Sequence, residues 1–463
     1  MTTLTINPTH ALDQQQQLAQ AFSAQQMGPM LRNALSPASW PKAVAKQSTR
    51  SCHILDAKVD PNGSGTMLYQ LDAELVLGVM PAHAEHRQQP ERAPTQAVWL
   101  PEIGMYVYPF LNDPALPALR TALDGQQMAA RLNAELPTCR SGEQRILRCR
   151  ATLLRYRPGR RCTLRYDLRL VDRSGVISSR TLFGKLYHDC AKAQAVYAEM
   201  QRLAACTQAN GAPVTLAHAE AFLSELPLIV QAPVSGQPLD LAFEHAEKVS
   251  EQTVAEIRAN IRAAAVALAA VHKLPTLTQR QRPVDADLAK LTRRAQKLAG
   301  EHAALGTQMS KLATTLAATV AQLAGENTIL CTVHGDCKPS QFLVGGAQIA
   351  LLDFDHCGLA DPASDVGMFL ATLRQISVRN RLRPEHSTET IHAPTWLTAL
   401  EEEFLAAYMT ASGAAADFRR RATWYQALAL LRKALRGFAR SPYSPLPAQL
   451  ITAAERCLAS DPA

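Results

Sequence analysis

The chain has 463 residues, of which 47% are hydrophobic, 19% charged and only 5% aromatic, so it is long enough for two or three domains with a sizeable core. No apolar run of 18 residues is present, so the sequence indicates no transmembrane span. The N-terminus shows neither the basic nor the apolar region of a secretory signal, and the ten cysteines are scattered without a CxxC pair. We therefore expect reduced thiols and a cytoplasmic protein.

The net charge is +8, which allows binding to nucleic acid or to an anionic membrane surface. Nine arginines fall between Arg145 and Arg169, so much of the excess charge is local. Positive charge concentrated in this way favours an enzyme cleft for anionic ligands over a nucleic-acid-binding surface. Nucleic-acid binding through the Arg-rich segment stays open as an alternative.

The first part of the chain predicts a lead-in and a small β-rich module. Residues 1–45 are expected to be weakly ordered, and residues 46–140 to form the module. Apolar runs at 52–59 and 66–71 flank a Pro-Asn-Gly turn, which is typical of a β-hairpin. Residues 81–95 predict a loop, and residues 97–110 predict a further strand pair or an extended segment.

A second hairpin is predicted at residues 149–170, with its turn at 157–160. Leu154 and Tyr156 alternate with Arg155 and Arg157, which indicates one buried and one charged face. Five identities at one constant offset relate the two hairpins: Cys52, Pro61, Thr66, Tyr69 and Leu71 match Cys149, Pro158, Thr163, Tyr166 and Leu168. The first module is therefore either a degenerate copy of the second or a hairpin of similar composition by chance.

A strand with an embedded lysine follows, at 182–187. An unpaired buried charge is costly, so Lys185 is expected to face an anionic group, and Glu199 on a predicted helix over 192–203 is its candidate partner. Residues 228–239 predict a buried strand that runs into a Pro/Gly-containing linker. The rest of the chain has helical periodicity, over 244–324, 364–380, 396–411, 416–438 and 446–460.

The most informative residues lie between positions 333 and 365. The segment 333–341 reads VHGDCKPSQ, 351–355 reads LLDFD and 361–365 reads DPASD. Asp336 precedes Gln341 by five residues, and Asp353 follows twelve residues later. One carboxylate that orients an attacking hydroxyl, together with an amide and a second carboxylate that hold Mg²⁺, is what phosphoryl transfer requires.

This combined spacing resembles the aminoglycoside phosphotransferase and choline kinase family. The resemblance implies an α+β, two-lobed protein-kinase-like fold with a small antiparallel β lobe at 141–232 and a helical lobe at 233–463. It implies a small-molecule kinase that uses ATP and Mg²⁺, with residues 1–140 outside the matched region. We expect a small-molecule acceptor with a hydroxyl group and no nucleic-acid partner.

The resemblance also implies roles for individual residues. In the catalytic loop, Asp336 would be the catalytic base, and Lys338 would either neutralise the transferring phosphate or be solvated. The metal ligands would be Gln341, Asp353 and Asp355. The ATP-binding residues would be Lys185, Glu199, Arg157, Gly159, Gln231, Ala232 and Val234.

One position departs from the family pattern. Most members have Asn where this chain has Gln341, which keeps the amide oxygen but adds a methylene. The Gln-containing motif is similar to that of maltokinases and bacterial glucosamine kinases, which favours a sugar-like acceptor. An amino alcohol or an aminoglycoside is an alternative acceptor, and a pseudokinase with weakened metal binding is an alternative function.

The remaining polar residues near the motif are interpreted as structural. Asp361 and Asp365 are expected to cap the helix that begins near residue 364, and His334 to support the catalytic loop by hydrogen bonds. His272 is predicted to end a helix near its C-terminal dipole. Cys337 and Cys357 are interpreted as small packing residues.

Overall fold

The computed structural model describes residues 16–35, 51–59, 64–72, 74–81, 97–243, 250–275, 278, 280–323, 329–345, 348–382, 395–440 and 444–459. The chain forms two compact units. The first comprises Met1–Ala193 and Ala221–Val230, and the second comprises Gln194–Glu220 and Gln231–Ala463. Within the described ranges, no helix is long and apolar enough to cross a membrane.

The first unit begins with helix α1 (Ala24–Ala34), whose N-cap is Ser23. A five-stranded antiparallel sheet follows, in the order β1-β2-β3-β5-β4. Its strands are β1 (Cys52–Val59), β2 (Gly65–Leu71), β3 (Glu74–Met80), β4 (Val98–Leu100) and β5 (Met105–Pro109). Met27 and Leu31 of α1 are fully buried in the core of this sheet, so part of the predicted weakly ordered lead-in is an integral helix.

Three short helices connect the first sheet to the second: α2 (Leu119–Leu123), α3 (Gly125–Glu135) and α4 (Pro137–Arg140). The strands of the second sheet are β6 (Gln144–Arg157), β7 (Arg161–Asp172), β8 (Ile177–Tyr187), β10 (Ala219–Leu223) and β11 (Leu228–Gln231). Their order is β6-β7-β8-β11-β10. The two sheets therefore have the same strand order: in each, the first three strands along the chain are followed by the fifth strand and then by the fourth.

The two sheets agree in local detail as well. Tyr69 and Tyr166 are each fully buried, and each donates its hydroxyl to a backbone carbonyl 2.9 Å away, that of Ala21 and that of Ala122. Gly78 and Gly184 lie on the third strand of each sheet. A Cβ added at Gly184 would overlap the ring of Tyr166, and one added at Gly78 would overlap Met105 Sδ and lie tightly against the ring of Tyr69. Lys185 pairs with Thr163, whereas Val79 pairs with Thr66, so the first sheet has valine where the second has lysine.

The second unit is mainly helical. Helix α5 (Cys190–Ala209) and strand β9 (Thr215–Leu216) lead into it. Its further helices are α6 (Glu251–His272), α7 (Val284–Glu301), α8 (Ala303–Leu323), α9 (Ala363–Arg381), α10 (Thr395–Ser412), α11 (Phe418–Arg440) and α12 (Leu446–Ala459). A buried cluster around Phe342, Phe369 and Phe404 joins α6, α9 and α10 to the catalytic segment.

Short strands position the segment that carries the catalytic motif. They are β12 (Gln237–Pro238), β13 (Cys331–Val333), β14 (Phe342–Val344), β15 (Ala350–Leu351) and β16 (Gly358–Ala360). β14 pairs with β12 and β15, β15 pairs in parallel with β9, and β13 pairs with β16. The pairing of β9 with β15 explains why residues 194–220 group with the helical unit, although the sequence assigned them to the small lobe.

Most predicted elements are present, and the α+β class is confirmed. The four helices predicted from residue 364 onward correspond to α9 to α12. Wherever the structure describes a helix end, it lies within two residues of the predicted end. Leu154 was predicted to be buried but is 50% exposed, because a bulge between Leu153 and Arg155 breaks the alternation. The predicted turn at 60–63 and almost all of the predicted loop at 81–95 lie outside the described residues.

Candidate active site

The catalytic loop links β13 to a 3₁₀ turn at Pro339–Gln341. Asp336 lies at its tip, with 23% of its side chain exposed, and accepts a hydrogen bond from Lys338 Nζ at 2.7 Å. Burial tends to raise the pKa of Asp336, but the charge and hydrogen bond of Lys338 outweigh it and hold the pKa below its usual value. Asp336 is therefore ionised at neutral pH and able to accept a bond from a hydroxyl group.

His334 joins this loop to the strand that precedes Asp353. It is fully buried, and its Nε2 lies 2.7 Å from the carbonyl oxygen of Leu352. A carbonyl only accepts, so Nε2 carries the proton, and Nδ1 accepts the backbone N–H of Asp336 at 3.2 Å. The predicted supporting role of His334 is confirmed, because its ring links the backbone N–H of Asp336 to the carbonyl of Leu352, the residue before Asp353.

Asp365 holds the same loop from helix α9. Its carboxylate accepts the backbone N–H groups of His334 at 2.5 Å and Gly335 at 2.8 Å, and it lies 3.1 Å from His272 Nε2. Burial raises the pKa of Asp365, but the hydrogen bond and charge of His272 lower it below its usual value. The expectation that Asp365 caps a helix was therefore wrong, because its side chain is turned to the loop.

His272 is the last residue of helix α6, as predicted. It is 8% exposed, and besides Asp365 it contacts the hydroxyl of Tyr408 at 2.7 Å through Nδ1. It therefore also links the end of α6 to α9 and α10, which the sequence did not indicate. Asp361 does act as expected, since it accepts the N–H of Ala363 at 2.9 Å at the start of α9.

Two of the three predicted metal ligands are adjacent. Gln341 Nε2 lies 3.3 Å from Asp353 Oδ2, and Gln341 is 8% exposed. Asp353 follows β15 with φ 69° and ψ 58°, a left-handed conformation that is uncommon for a non-glycine residue and that occurs preferentially at functional sites. An amide and a carboxylate supply the oxygen ligands that Mg²⁺ prefers, so these two residues fit the ion.

The third predicted ligand, Asp355, lies in the 3₁₀ turn Phe354–His356 and is 2% exposed. Among the described residues, no group of three His, Cys, Asp or Glu side chains is arranged to hold a metal. A site of this kind would instead combine Gln341 and Asp353 with phosphate oxygens of a nucleotide.

The tip of the Arg-rich hairpin is held by a residue that the sequence did not indicate. Asp113 is 3% exposed and accepts the hydroxyl of Tyr156 at 2.6 Å and the backbone N–H of Gly159 at 2.8 Å. Gly159 has φ +65°, and Arg157 closes the turn by accepting the N–H of Arg160 at 3.1 Å. The N–H of Gly159, a predicted ATP-binding residue, is thus engaged by a carboxylate, a contact across 46 residues that no local pattern reveals.

The predicted phosphate-binding pair divides between the two units. Lys185 lies on β8 of the first unit, with its Nζ 5.8 Å from the ring centroid of Tyr187. Glu199 lies on α5 in the second unit, is 7% exposed, and pairs with Arg202 Nη2 at 2.6 Å. Cys357 Sγ also lies 3.6 Å from its Oε1, so Glu199 is held from two sides.

The predicted adenine-binding segment follows β11. Gln231 ends the strand, and its Nε2 lies 3.3 Å from Met200 Sδ. The backbone N–H of Ala232 donates to the carbonyl of His218 at 3.0 Å, and Val234 is half-buried two residues on. The N–H of Ala232 is therefore used within the protein, which leaves its carbonyl as the backbone group for a ligand at that residue.

The loop of Asp336 and the pair of Gln341 and Asp353 have the arrangement that the sequence predicts for a phosphotransferase, and comparison with known proteins gives the family. The chain belongs to the phosphotransferase enzyme family, whose sequence model matches residues 173–424, more than half of the chain. The predicted phosphotransferase family is therefore confirmed. A search of curated protein sequences found no match.

Solved structures with similarity to this chain include three kinds of kinase. A glucosamine kinase (crystal form A) is 15% identical with a TM-score of 0.44, over 95% of this chain and 97% of that chain. A choline/ethanolamine kinase family protein from Mesorhizobium loti is 15% identical with a TM-score of 0.41, over 72% and 94%. The GDP and kanamycin complex of APH(2")-IIia is 13% identical with a TM-score of 0.41, over 67% and 93%.

Proposed function

We propose that this kinase transfers the γ-phosphoryl group of ATP to a hydroxyl group of a sugar-like small molecule, with Mg²⁺ as the metal ion. The observation that carries the proposal is that one set of hydrogen bonds holds Asp336, Gln341 and Asp353 together. His334 and Asp365 fix the loop of Asp336, and Gln341 and Asp353 lie 3.3 Å apart. The Gln-containing motif, which resembles that of maltokinases and glucosamine kinases, supports a sugar-like acceptor.

In this proposal Asp336 accepts a hydrogen bond from the acceptor hydroxyl and aims its oxygen at the γ-phosphorus. A carboxylate with a lowered pKa is a weak base, so its main contribution is orientation, and it takes the proton late, as the bond to phosphorus forms. The bond between the γ-phosphorus and the bridging oxygen breaks, and ADP leaves. Lys338, 2.7 Å from Asp336, places a positive charge beside the transferring group.

The remaining roles are assigned as the family resemblance implies. Gln341 and Asp353, with Asp355 nearby, would hold Mg²⁺, which offsets phosphate charge during transfer. Lys185 would contact the α and β phosphates, with Glu199 as its partner, and Arg157 and Gly159 would cover them. Adenine would meet the backbone of Gln231, Ala232 and Val234.

Nucleotide binding is tested first by thermal unfolding with and without Mg-ATP, for the natural protein and Asp353→Ala. A ligand present at 100 times its dissociation constant stabilises the fold by about 2.7 kcal/mol. We expect a shift that requires Mg²⁺ and is lost in Asp353→Ala. The absence of any shift at millimolar Mg-ATP would favour the pseudokinase alternative.

The catalytic role of Asp336 is tested separately with Asp336→Ala. Turnover on an active acceptor should fall by about 10²-fold or more, because orientation and proton transfer are both lost. The stabilisation by Mg-ATP should remain, since Asp336 is not assigned to the nucleotide. Unchanged turnover in this variant contradicts the assignment.

A further inference from the structure

Basic side chains on three helices of the helical unit lie within electrostatic reach of Asp336 or of one another. On α11, Arg432, Arg436 and Arg440 are spaced four residues apart and share a face, with Lys433 beside it. Exposed arginines also project from α9 and α7, at Arg379 and Arg294. The pKa of Lys433 responds to the charges of Asp336, Lys338 and Arg379. The pKa of Arg436 responds to the charges of Asp336, Arg294, Arg432 and Arg440.

Lys433 is the unusual member of this group. It is only 8% exposed, and within the described part of the chain its one hydrogen bond is to Gln375 Oε1 at 3.0 Å. An ammonium group has three N–H donors, and the amide oxygen of Gln375 accepts only one of them. Burial, and then the charge of Arg436, lower the pKa of Lys433 to about 7. Among the residues that the structure describes, no carboxylate pairs with this ammonium group.

The neighbouring carboxylates are already committed elsewhere. Glu401, on the facing helix α10, accepts both Arg374 at 2.6 Å and Gln426 at 2.8 Å. Asp287 on α7 pairs with Arg432 at 2.7 Å. The carboxylate whose charge acts on both Lys433 and Arg436 is Asp336, which is itself paired with Lys338.

Buried positive charge beside a catalytic residue is stabilised when a ligand brings the opposite charge. An acceptor that carried an ammonium group would instead add to the repulsion among Lys433, Arg436 and Arg379. A neutral sugar would leave the buried ammonium as it is. An anionic acceptor is thus the class that this arrangement favours, because its charge would offset that of a buried lysine.

We propose that the acceptor carries an anionic group, either a phosphate or a carboxylate, and that Lys433 binds this group together with the exposed Arg436 and Arg379. Binding there would place a hydroxyl group of the same acceptor against Asp336. This inference rests on the proposed function and narrows it to sugar phosphates or sugar acids. Lys433 is then a specificity residue of the acceptor site.

The test compares three forms of the same sugars, neutral, phosphorylated and carboxylated, as acceptors for the full chain with Mg-ATP. Product is measured by mass spectrometry and ADP release. We expect kcat/KM for one anionic form to exceed that for the neutral form about tenfold or more, and Lys433→Met to remove that advantage. The phosphate and carboxylate arms show which anion is bound.

Arg436→Gln, at an exposed position, provides a second variant that retains the fold. Arg419→Gln is the matched control, because it removes an exposed arginine in the first turn of α11 that pairs with Glu402. Neutral sugars that react as well as anionic ones would overturn the proposal. The proposal would also be overturned if Lys433→Met lowered kcat/KM equally for all acceptors, because that result indicates a structural role for Lys433.

A direct binding measurement separates this proposal from the kinase assignment. Thermal unfolding is followed with inorganic phosphate and with a sugar phosphate, with the nucleotide site saturated by a non-hydrolysable ATP analogue and Mg²⁺. If the ATP analogue does not bind, the proposed function fails. The titrations with inorganic phosphate and with the sugar phosphate, repeated without the analogue, still test whether Lys433 binds an anion. Stabilisation that Lys433→Met loses supports the site, and no stabilisation in the natural protein overturns it.

Discussion

Three aspartates within thirty residues have different pKa shifts, and the surroundings of each explain its direction. Asp336 has its pKa lowered mainly by Lys338, and Asp365 has it lowered by His272, in both cases against burial. Asp361 has its pKa raised, because burial outweighs the N–H of Ala363 and the charge of Arg421. Sequence spacing identified all three residues, but it could not show that Asp365 binds the loop while Asp361 caps the helix.

The shifted pKa of Lys433 gives a prediction for stability against pH. The unfolded chain holds this proton up to about pH 10.5 and the folded chain releases it near pH 7, so the unfolded state binds more protons in between. The free energy of unfolding should therefore rise between pH 7 and 9 in the natural protein relative to Lys433→Met, by about 2 kcal/mol.

Chemical denaturation of both proteins at several pH values measures this difference. The groups that face Lys433 are Asp336 and Lys338 from the loop, Arg379 from α9 and Arg436 from its own helix. The pKa of Asp336 is lowered, so this carboxylate does not titrate between pH 7 and 9 and does not create the slope. Parallel curves for the two proteins would show that Lys433 keeps its charge when folded.

At the scale of elements, the hairpin of β6 and β7 shows what pattern reasoning detects and what it misses. Alternation identified the two strands, and the Pro-Gly pair identified the turn. The bulge near Leu154 was not visible, because an extra residue in one strand depends on how its neighbour pairs. The contact of Asp113 with Gly159 and Tyr156 was missed because it connects residues far apart in sequence.

Asp113→Ala should loosen the hairpin tip. It leaves the Tyr156 hydroxyl and the Gly159 N–H without their acceptor, so we expect a loss of stability of about 2–4 kcal/mol. A less ordered tip covers phosphates poorly, so KM for ATP should rise several-fold with kcat little changed. Steady-state kinetics and thermal unfolding measure the two effects.

Asp124→Ala is the matched control for this variant. Asp124 caps α3 in the same unit, through the N–H groups of Gln126 and Gln127. Because this cap is exposed to solvent, its loss should destabilise the fold less than the loss of Asp113. A lower KM for ATP in Asp113→Ala would show instead that Asp113 competes with phosphate for the N–H of Gly159.

At the scale of the whole molecule, the two sheets of the first unit share strand order, a buried tyrosine bonded to a helix carbonyl, and a glycine beneath its ring. The bulges lie at different positions, yet Lys58 pairs with Thr66 as Arg155 pairs with Thr163. We propose that residues 46–140 contain a duplicated copy of the nucleotide-binding sheet. With Val79 in place of Lys185, the copy lacks the lysine expected to bind phosphates.

A chain that begins at residue 141 should not form a stable sheet. Leu119 and Leu132, both fully buried in the core of the second sheet, would be lost together with the carbonyl of Ala122 that Tyr166 binds. Each buried leucine contributes about 1.5–3 kcal/mol, and a whole protein is stable by only about 5–15 kcal/mol. Soluble yield and thermal unfolding, compared with the full chain, measure the effect.

Cooperative unfolding of the shortened chain, with Mg-ATP stabilisation intact, would contradict this expectation. In that case residues before 141 would form a separate module that the nucleotide-binding sheet does not need.

The sequence by itself determined the class of enzyme, the α+β fold and the candidates Asp336, Gln341 and Asp353. It did so because phosphoryl transfer needs particular groups at short, local spacings, and because helices and strands follow local periodicity. Only the tertiary structure showed the contacts of Asp365, His272, Asp113 and Lys433. Each of these acts through contacts with residues distant in sequence, and burial and charge at such contacts depend on how the elements pack.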